Sequence, residues 1–191
     1  MLNSLVPVIS IKVLLANVEA PPLARAVMNS APHLTIAQAH EHVVAAKLAA
    51  TKGISAELLL GMAYVESRYI PFGVSRMERG RRMMGIPKWK SPPRYVTGPY
   101  FCGVSQVAAK MSWKRCLEFQ DLNTSYRTSA TELMSWVKMC RKIKKPGMRC
   151  ALLGYGGGFP MIERGTSTYP NRVLRRAARL QKMTIEKIVT I

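Results

Sequence analysis

Apolar residues recur at three- and four-residue intervals along most of the chain, and the resulting stripes predict helices rather than strands. Thr35-Ile36-Ala37-Gln38 has the form of a capping box, in which the Thr35 hydroxyl and the Gln38 side chain each reach an orphan amide. The spacing predicts a helix from there to about Lys52, ended by Gly53 in the left-handed conformation. A second helix opens at Ser55, with Glu57 in its first turn and Leu58, Leu59, Met62 and Val65 as its apolar stripe. Pro71 forbids its continuation, so it stops near Arg68 or Tyr69. Residues 104–114 read as helical, and 125–145 as a long helix whose cationic last turn suits its dipole. A short helix over 150–155 is closed by Gly156, Gly157 and Gly158. Pro170 suits the first turn of a last helix to about Lys182. Val173, Ala177 and Leu180 form its inner stripe, while Arg172, Arg175, Arg176 and Arg179 face outward as a solvated row. Strand-like alternation is confined to short stretches near 95–102, and no segment repeats. The fold class is mainly α.

Three stretches fall outside this pattern. Residues 1–34 form an apolar arm punctuated by Pro7, Pro21, Pro22 and Pro32, suited to packing on its own domain or on a neighbouring protein. Val18-Glu19-Ala20 faintly resembles a signal-peptidase site, but no basic residue precedes the apolar run and Lys12 interrupts it. Residues 76–99 carry seven cations, Gly and Pro punctuation and a single acid, Glu78, and read as an irregular basic insertion. Residues 184–191 are left as a C-terminal tail. The organisation is therefore an arm, one domain over 35–183 and a tail.

Length and composition narrow the partners. At 191 residues with 48% hydrophobic content the chain can bury a real core. It contains no uncharged apolar run of about 18 residues, so no transmembrane segment is expected. Lys and Arg total 29 against 10 acids, a formal net charge of +19, which attracts polyanions: nucleic acid, anionic lipid or the acidic polymers of a cell wall. The histidines His33, His40 and His42 lack metal-ligand spacing, so neither a metal nor another cofactor is expected. Cys102, Cys116, Cys140 and Cys150 contain no C-x-x-C pair. They admit two disulfides, Cys140 with Cys150 across the 144–147 turn being one pairing, or buried free thiols.

With one Asp and nine Glu in the chain, a carboxylate chemistry has few places to sit. Glu66 continues the line of Leu59 and Met62 by helical spacing, at the edge of the buried stripe and in the last turn of its helix. Desolvation and the negative end of the helix dipole both disfavour an anion at such a place, and a carboxyl that keeps its proton is what a general acid requires.

The surroundings of Glu66 sharpen this. Glu66-Ser67-Arg68-Tyr69-Ile70-Pro71-Phe72-Gly73-Val74-Ser75 resembles the signature of the soluble lytic murein transglycosylases. Gly103-Val104-Ser105-Gln106 is similar to that family's Gly-Leu-Met-Gln segment, Ala151 to Gly158 to its Ala-Tyr-Asn-Ala-Gly block, and Tyr169-Pro170-Asn171-Arg172-Val173-Leu174 to its closing Tyr-x-x-Arg-Val-Leu helix. The four segments occur in the family's order over residues 53–180.

The resemblance implies a lysozyme-like domain of the goose type with a glycan cleft, a peptidoglycan substrate and no cofactor. It implies cleavage of the MurNAc–GlcNAc β-1,4 bond without water, leaving a 1,6-anhydro-MurNAc end. By position Glu66 would be the acid and then the base. Ser75 would bond the acetamido group or position Glu66, Gln106 would line the cleft, and Tyr155 would sit beside the catalytic carboxyl. Ser105 stands where the family has Met, Gly156 where it has Asn, and the stretch from Ser75 to Gly103 is longer than the family's loop.

Such enzymes serve in wall remodelling, secretion machinery and phage particles, so the expected location is a virion or the bacterial envelope. Virion or wall-machinery proteins would be met through residues 1–34. A hydrolytic goose-type lysozyme is the nearest competing reading, but between Glu66 and Glu118 the only other acid is Glu78. A basic virion protein that binds nucleic acid through an inactive domain is the competing reading from another class.

Overall fold

The computed structural model describes residues 21–71, 74–78, 81–85, 100–110 and 113–188. The described chain is mainly helical: α1 (Pro22–Ser30), α2 (Ile36–Ala49), α3 (Ala56–Ser67), β1 (Val74–Glu78), β2 (Arg81–Gly85), β3 (Tyr100–Cys102), β4 (Val107–Lys110), α4 (Trp113–Glu118), α5 (Leu122–Lys142), α6 (Met148–Arg164) and α7 (Tyr169–Ile188). Among the described residues no helix is long and apolar enough to cross a membrane.

Helix α3 is the axis of the core. Leu59, Leu60, Met62 and Ala63 are all fully buried, so the helix is apolar on more than one face, as a helix enclosed by others must be. It packs against α7, α2 and α5. Its approach to α7 is closest at Gly61, where a Cβ would stand 3.0 Å from the Val173 carbonyl oxygen. Helix α5 lies between α2 and α6. At the α5–α6 crossing a Cβ on Gly154 would meet the Trp136 ring at 2.3 Å, so glycine there sets how near the two helices come.

Helix starts follow local chemistry. Thr35 and Gln38 form the expected capping box on α2, the Ser55 hydroxyl accepts from the Leu58 amide on α3, and the Asp121 carboxylate accepts from the Thr124 amide at 2.8 Å on α5. Two ends differ from expectation. Helix α2 stops at Ala49, and Gly53 (φ 91°) instead serves the turn that pairs Thr51 with Ile54. Helix α6 runs on past the glycines. Its backbone leaves the helical range at Gly157 and Gly158, the latter at φ 67°, and then resumes to Arg164.

Four further expectations are corrected. Residues 22–30 of the apolar arm are a helix, started by Pro22 at its first turn, whose Leu23, Ala24, Ala26 and Val27 belong to the main core. Residues 1–20 lie outside the described residues. The start of the basic insertion is a hairpin: β1 and β2 pair antiparallel, Val74 opposite Gly85 through Glu78 opposite Arg81. The two join β3 and β4 in one antiparallel sheet of order β2-β1-β3-β4. Residues 86–99 lie outside the described residues.

Residues 104–110, expected to be helical, form a turn and then β4. Gly103 (φ 74°) and Gln106 (φ 51°) are both left-handed, which no helix accommodates. Gly103 is pressed so closely on the Phe119 carbonyl and the Ser125 side chain that a Cβ would lie 2.3 and 2.5 Å away. Finally, the tail begins later than expected, because α7 continues to Ile188.

All four cysteines are paired, Cys102 with Cys116 and Cys140 with Cys150. The first anchors β3 to α4 beside the 103–106 turn. The second ties the end of α5 to the start of α6.

Candidate functional site

Glu66 sits in the last turn of α3 and is 6% exposed. The helix ends immediately after it because Arg68 (φ 58°) and Tyr69 (φ 65°) both adopt the left-handed conformation, an uncommon state for such residues. That reversal drives the Tyr69 ring into the core. It also leaves Ser67 at the helix terminus, where its hydroxyl donates to the Val104 carbonyl at 2.7 Å and accepts from the Ile70 amide at 3.1 Å. Ser67 thereby joins the end of α3 to the turn at 103–106.

That turn is held from two more directions. The Tyr155 hydroxyl, on α6, donates to the Ser105 carbonyl at 2.9 Å. The Gln106 side-chain amide donates to the Gly103 carbonyl at 2.9 Å, closing the turn on itself. Three stretches far apart in sequence (66–67, 103–106 and 155) therefore meet through hydrogen bonds to consecutive carbonyls. The Ser105 hydroxyl is buried in this turn with no hydrogen-bond partner among the described residues.

Of the expected site residues, Glu66, Gln106 and Tyr155 lie on elements joined by these bonds. Gln106 is buried and spends its amide on the turn, so its role is at least partly architectural. Ser75 lies on the inner strand β1, its backbone opposite Phe101 on β3 and Met84 on β2. Its side chain lies outside what the structure describes. Gly156 makes room for Tyr169, whose ring carbon would be 2.9 Å from a Cβ there; this links the Tyr155 turn to the start of α7.

Two participants were not expected. Ser67, next to Glu66, joins the end of α3 to the 103–106 turn. Glu132, on α5, is close enough to feel the charge of Glu66. Burial, and then that neighbouring negative charge, hold its carboxyl above the usual carboxylate range. The sequence signal for Glu132 is its register: it lies three residues after buried Ser129 and four before Trp136, beside the face formed by Tyr126, Ala130 and Leu133. A lone acid flanking an apolar stripe is uncommon enough to single out.

This arrangement has a measurable consequence. A carboxyl raised in the folded state favours folding only below its unfolded value and opposes it as pH rises through the folded one. Glu132→Gln is therefore expected to raise the thermal midpoint at pH 7 by about 2–4 °C, the equivalent of about 1 kcal/mol. The gain should vanish below about pH 3.5, where the carboxyl is largely protonated in both states. Unfolding scans of the two proteins across that range test it; a gain that persists at low pH would mean that lost charge is not the cause.

No family model matches the sequence, and neither a curated protein nor a solved structure matches it.

Proposed function

We propose that the protein is a peptidoglycan lytic transglycosylase with a lysozyme-like domain. The observation that carries this reading is the convergence on one turn of the segments around Glu66, Ser105–Gln106 and Tyr155. The segments are separated in sequence, and they are the ones whose order resembles that of the lytic transglycosylases. Glu66 is the group that transfers protons. It donates to the glycosidic oxygen as the C1–O4 bond breaks, and then takes the proton of the substrate's C6 hydroxyl as that oxygen bonds to C1. The proton returns to Glu66, no water is consumed, and the product ends in a 1,6-anhydro sugar. Tyr155 and Ser67 hold the 103–106 turn against the end of α3 that carries Glu66, and so would keep that carboxyl in place against the sugar. The net positive charge would hold the enzyme on an anionic wall, and two disulfides suit an oxidising location such as the envelope or a particle outside the cell.

A second reading has one specific observation behind it. Hydrolysis by a lysozyme uses two carboxylates, the second to activate water or stabilise the cationic centre. Glu132 supplies a second carboxyl group within electrostatic reach of Glu66. Mass spectrometry of the fragments released from purified sacculi separates the two. Anhydro ends support the transglycosylase, reducing ends the hydrolase, and no release at all removes both.

A further inference from the structure

The reverse side of α3 carries a different chemistry. Tyr64 stands two residues before Glu66, so the two side chains leave the helix about 200° apart. Around Tyr64 lies a cavity of about 370 Å³ lined by Arg68, Arg172, Arg175, Arg176 and Arg179, with no Asp or Glu among the described residues of its wall. The left-handed turn at Arg68 folds its guanidinium back over the Tyr64 ring, 4.2 Å from the centroid, and the Arg176 guanidinium lies 3.7 Å from the same centroid. Arg176, expected to face solvent, is half-buried. Its guanidinium also interacts with the buried Tyr69 hydroxyl, which fixes it at the base of the cavity. Like charges three and four residues apart destabilise a helix, and α7 places four of them on one face. An anion in the cavity would relieve that repulsion.

We propose that this hollow binds the phosphate groups of a linear phosphodiester polymer that carries no aromatic bases. Phosphate is favoured by the donor set. The chain has 13 lysines and 16 arginines, yet all five cations lining the cavity are arginine, whose planar fork bonds two oxygens of one phosphate at once. A polymer is favoured by extent, since Arg172 to Arg179 span about 10 Å of helix, room for more than one phosphate. The absence of bases follows from Tyr64. Two guanidiniums pack on the one aromatic ring lining the cavity, occupying the surface on which a nucleobase would stack. This choice rests on the cavity and not on the proposed cleavage of peptidoglycan.

The test is binding of the full-length protein to an end-labelled poly(glycerol phosphate) oligomer, followed by fluorescence anisotropy over a series of salt concentrations. Arg175→Gln with Arg179→Gln removes two exposed members of the wall. It should weaken binding about tenfold or more and reduce the slope of log affinity against log salt by about 1.4. Lys142→Gln with Lys145→Gln removes the same charge from the exposed end of α5 and the turn after it, and should change affinity less than about threefold. Equal losses in the two double variants would show attraction by net charge and overturn the site. Stronger binding of a single-stranded oligonucleotide with the same number of phosphates would overturn the base-free assignment. Preference for phosphatidylglycerol vesicles over the soluble oligomer would overturn the polymer. No measurable binding would overturn the proposal outright. None of these measurements involves glycan cleavage, so failure here leaves the role proposed for Glu66 where it stands.

Discussion

Glu66→Gln is expected to lower the release of fragments from purified sacculi by about a thousandfold or more, with little change in the thermal midpoint. The size follows from the double use of one group. General acid–base catalysis contributes roughly 10²–10⁴-fold when a positioned side chain donates or accepts a proton, and here the same carboxyl does both in succession. The amide of glutamine has the same shape and fits the same place at the end of α3, but it has no acidic proton to give and no basicity with which to take one back. An exposed carboxylate on a neighbouring helix provides the control: Glu41→Gln, on α2, should lyse as the parent does. If the Glu66 variant also lyses as the parent does, Glu66 is not the proton donor and the proposed activity fails with it. Glu132→Gln then carries a separate meaning. Retained lysis with anhydro products is the transglycosylase outcome, whereas a loss comparable to that of the Glu66 variant places both carboxylates in the reaction, as hydrolysis requires.

What could be read from the sequence was what local chemistry fixes. The starts of α2 and α3 were written in Thr35, Gln38 and Ser55, residues whose side chains accept from amides three positions away. The burial of Glu66 followed from its register with Leu59 and Met62 in a single helix. What depended on distant partners was hidden. Strands β1 and β2 read Val-Ser-Arg-Met-Glu and Arg-Arg-Met-Met-Gly, sequences without alternation, and the pairing of β1 with β3 spans a stretch of more than twenty residues. The apolar spacing of Val104, Val107 and Ala108 suits either period over so short a run. The decision was made by the left-handed turn at Gly103 and Gln106 and by the Cys102–Cys116 bond. Glu132 lies 66 positions from Glu66 in sequence, and only the packing of α5 beside α3 brings the two charges within reach of each other. Arg172, Arg175 and Arg179 are exposed as helical phase suggests, and Arg176 alone of the four is half-buried, because phase does not reveal that Arg68 turns back toward α7.

Acid is expected to destabilise the fold through His42, by roughly 3 kcal/mol between pH 6.5 and pH 4. His42 is 2% exposed, held against α5 by a 3.0 Å hydrogen bond between its Nδ1 and the hydroxyl of the fully buried Tyr126, with the Tyr69 ring at 5.2 Å. Burial lowers its pKa from the usual 6.5 to about 4. A hydrogen bond to the Tyr69 backbone acts in the opposite direction, and the charge of His33 adds a smaller decrease. The imidazole is thus neutral in the folded protein while the unfolded chain takes up a proton near 6.5. The contribution to stability is complete above 6.5 and is lost as pH falls toward about 4. Two other groups titrate in or below this window, with opposite signs. Glu132, held high, stabilises on protonation, whereas Asp121, held low by its cap to Thr124, does the reverse at still lower pH. The His42 effect is therefore read as a difference. Urea unfolding of the parent and of His42→Gln at pH 7, 5.5 and 4 should show the variant less stable at pH 7, because it loses a fitted ring, but with a curve flatter by about 3 kcal/mol over that range. Parallel curves for the two proteins would mean that the imidazole is solvated and the packing of Tyr69 and Tyr126 around it is not as described.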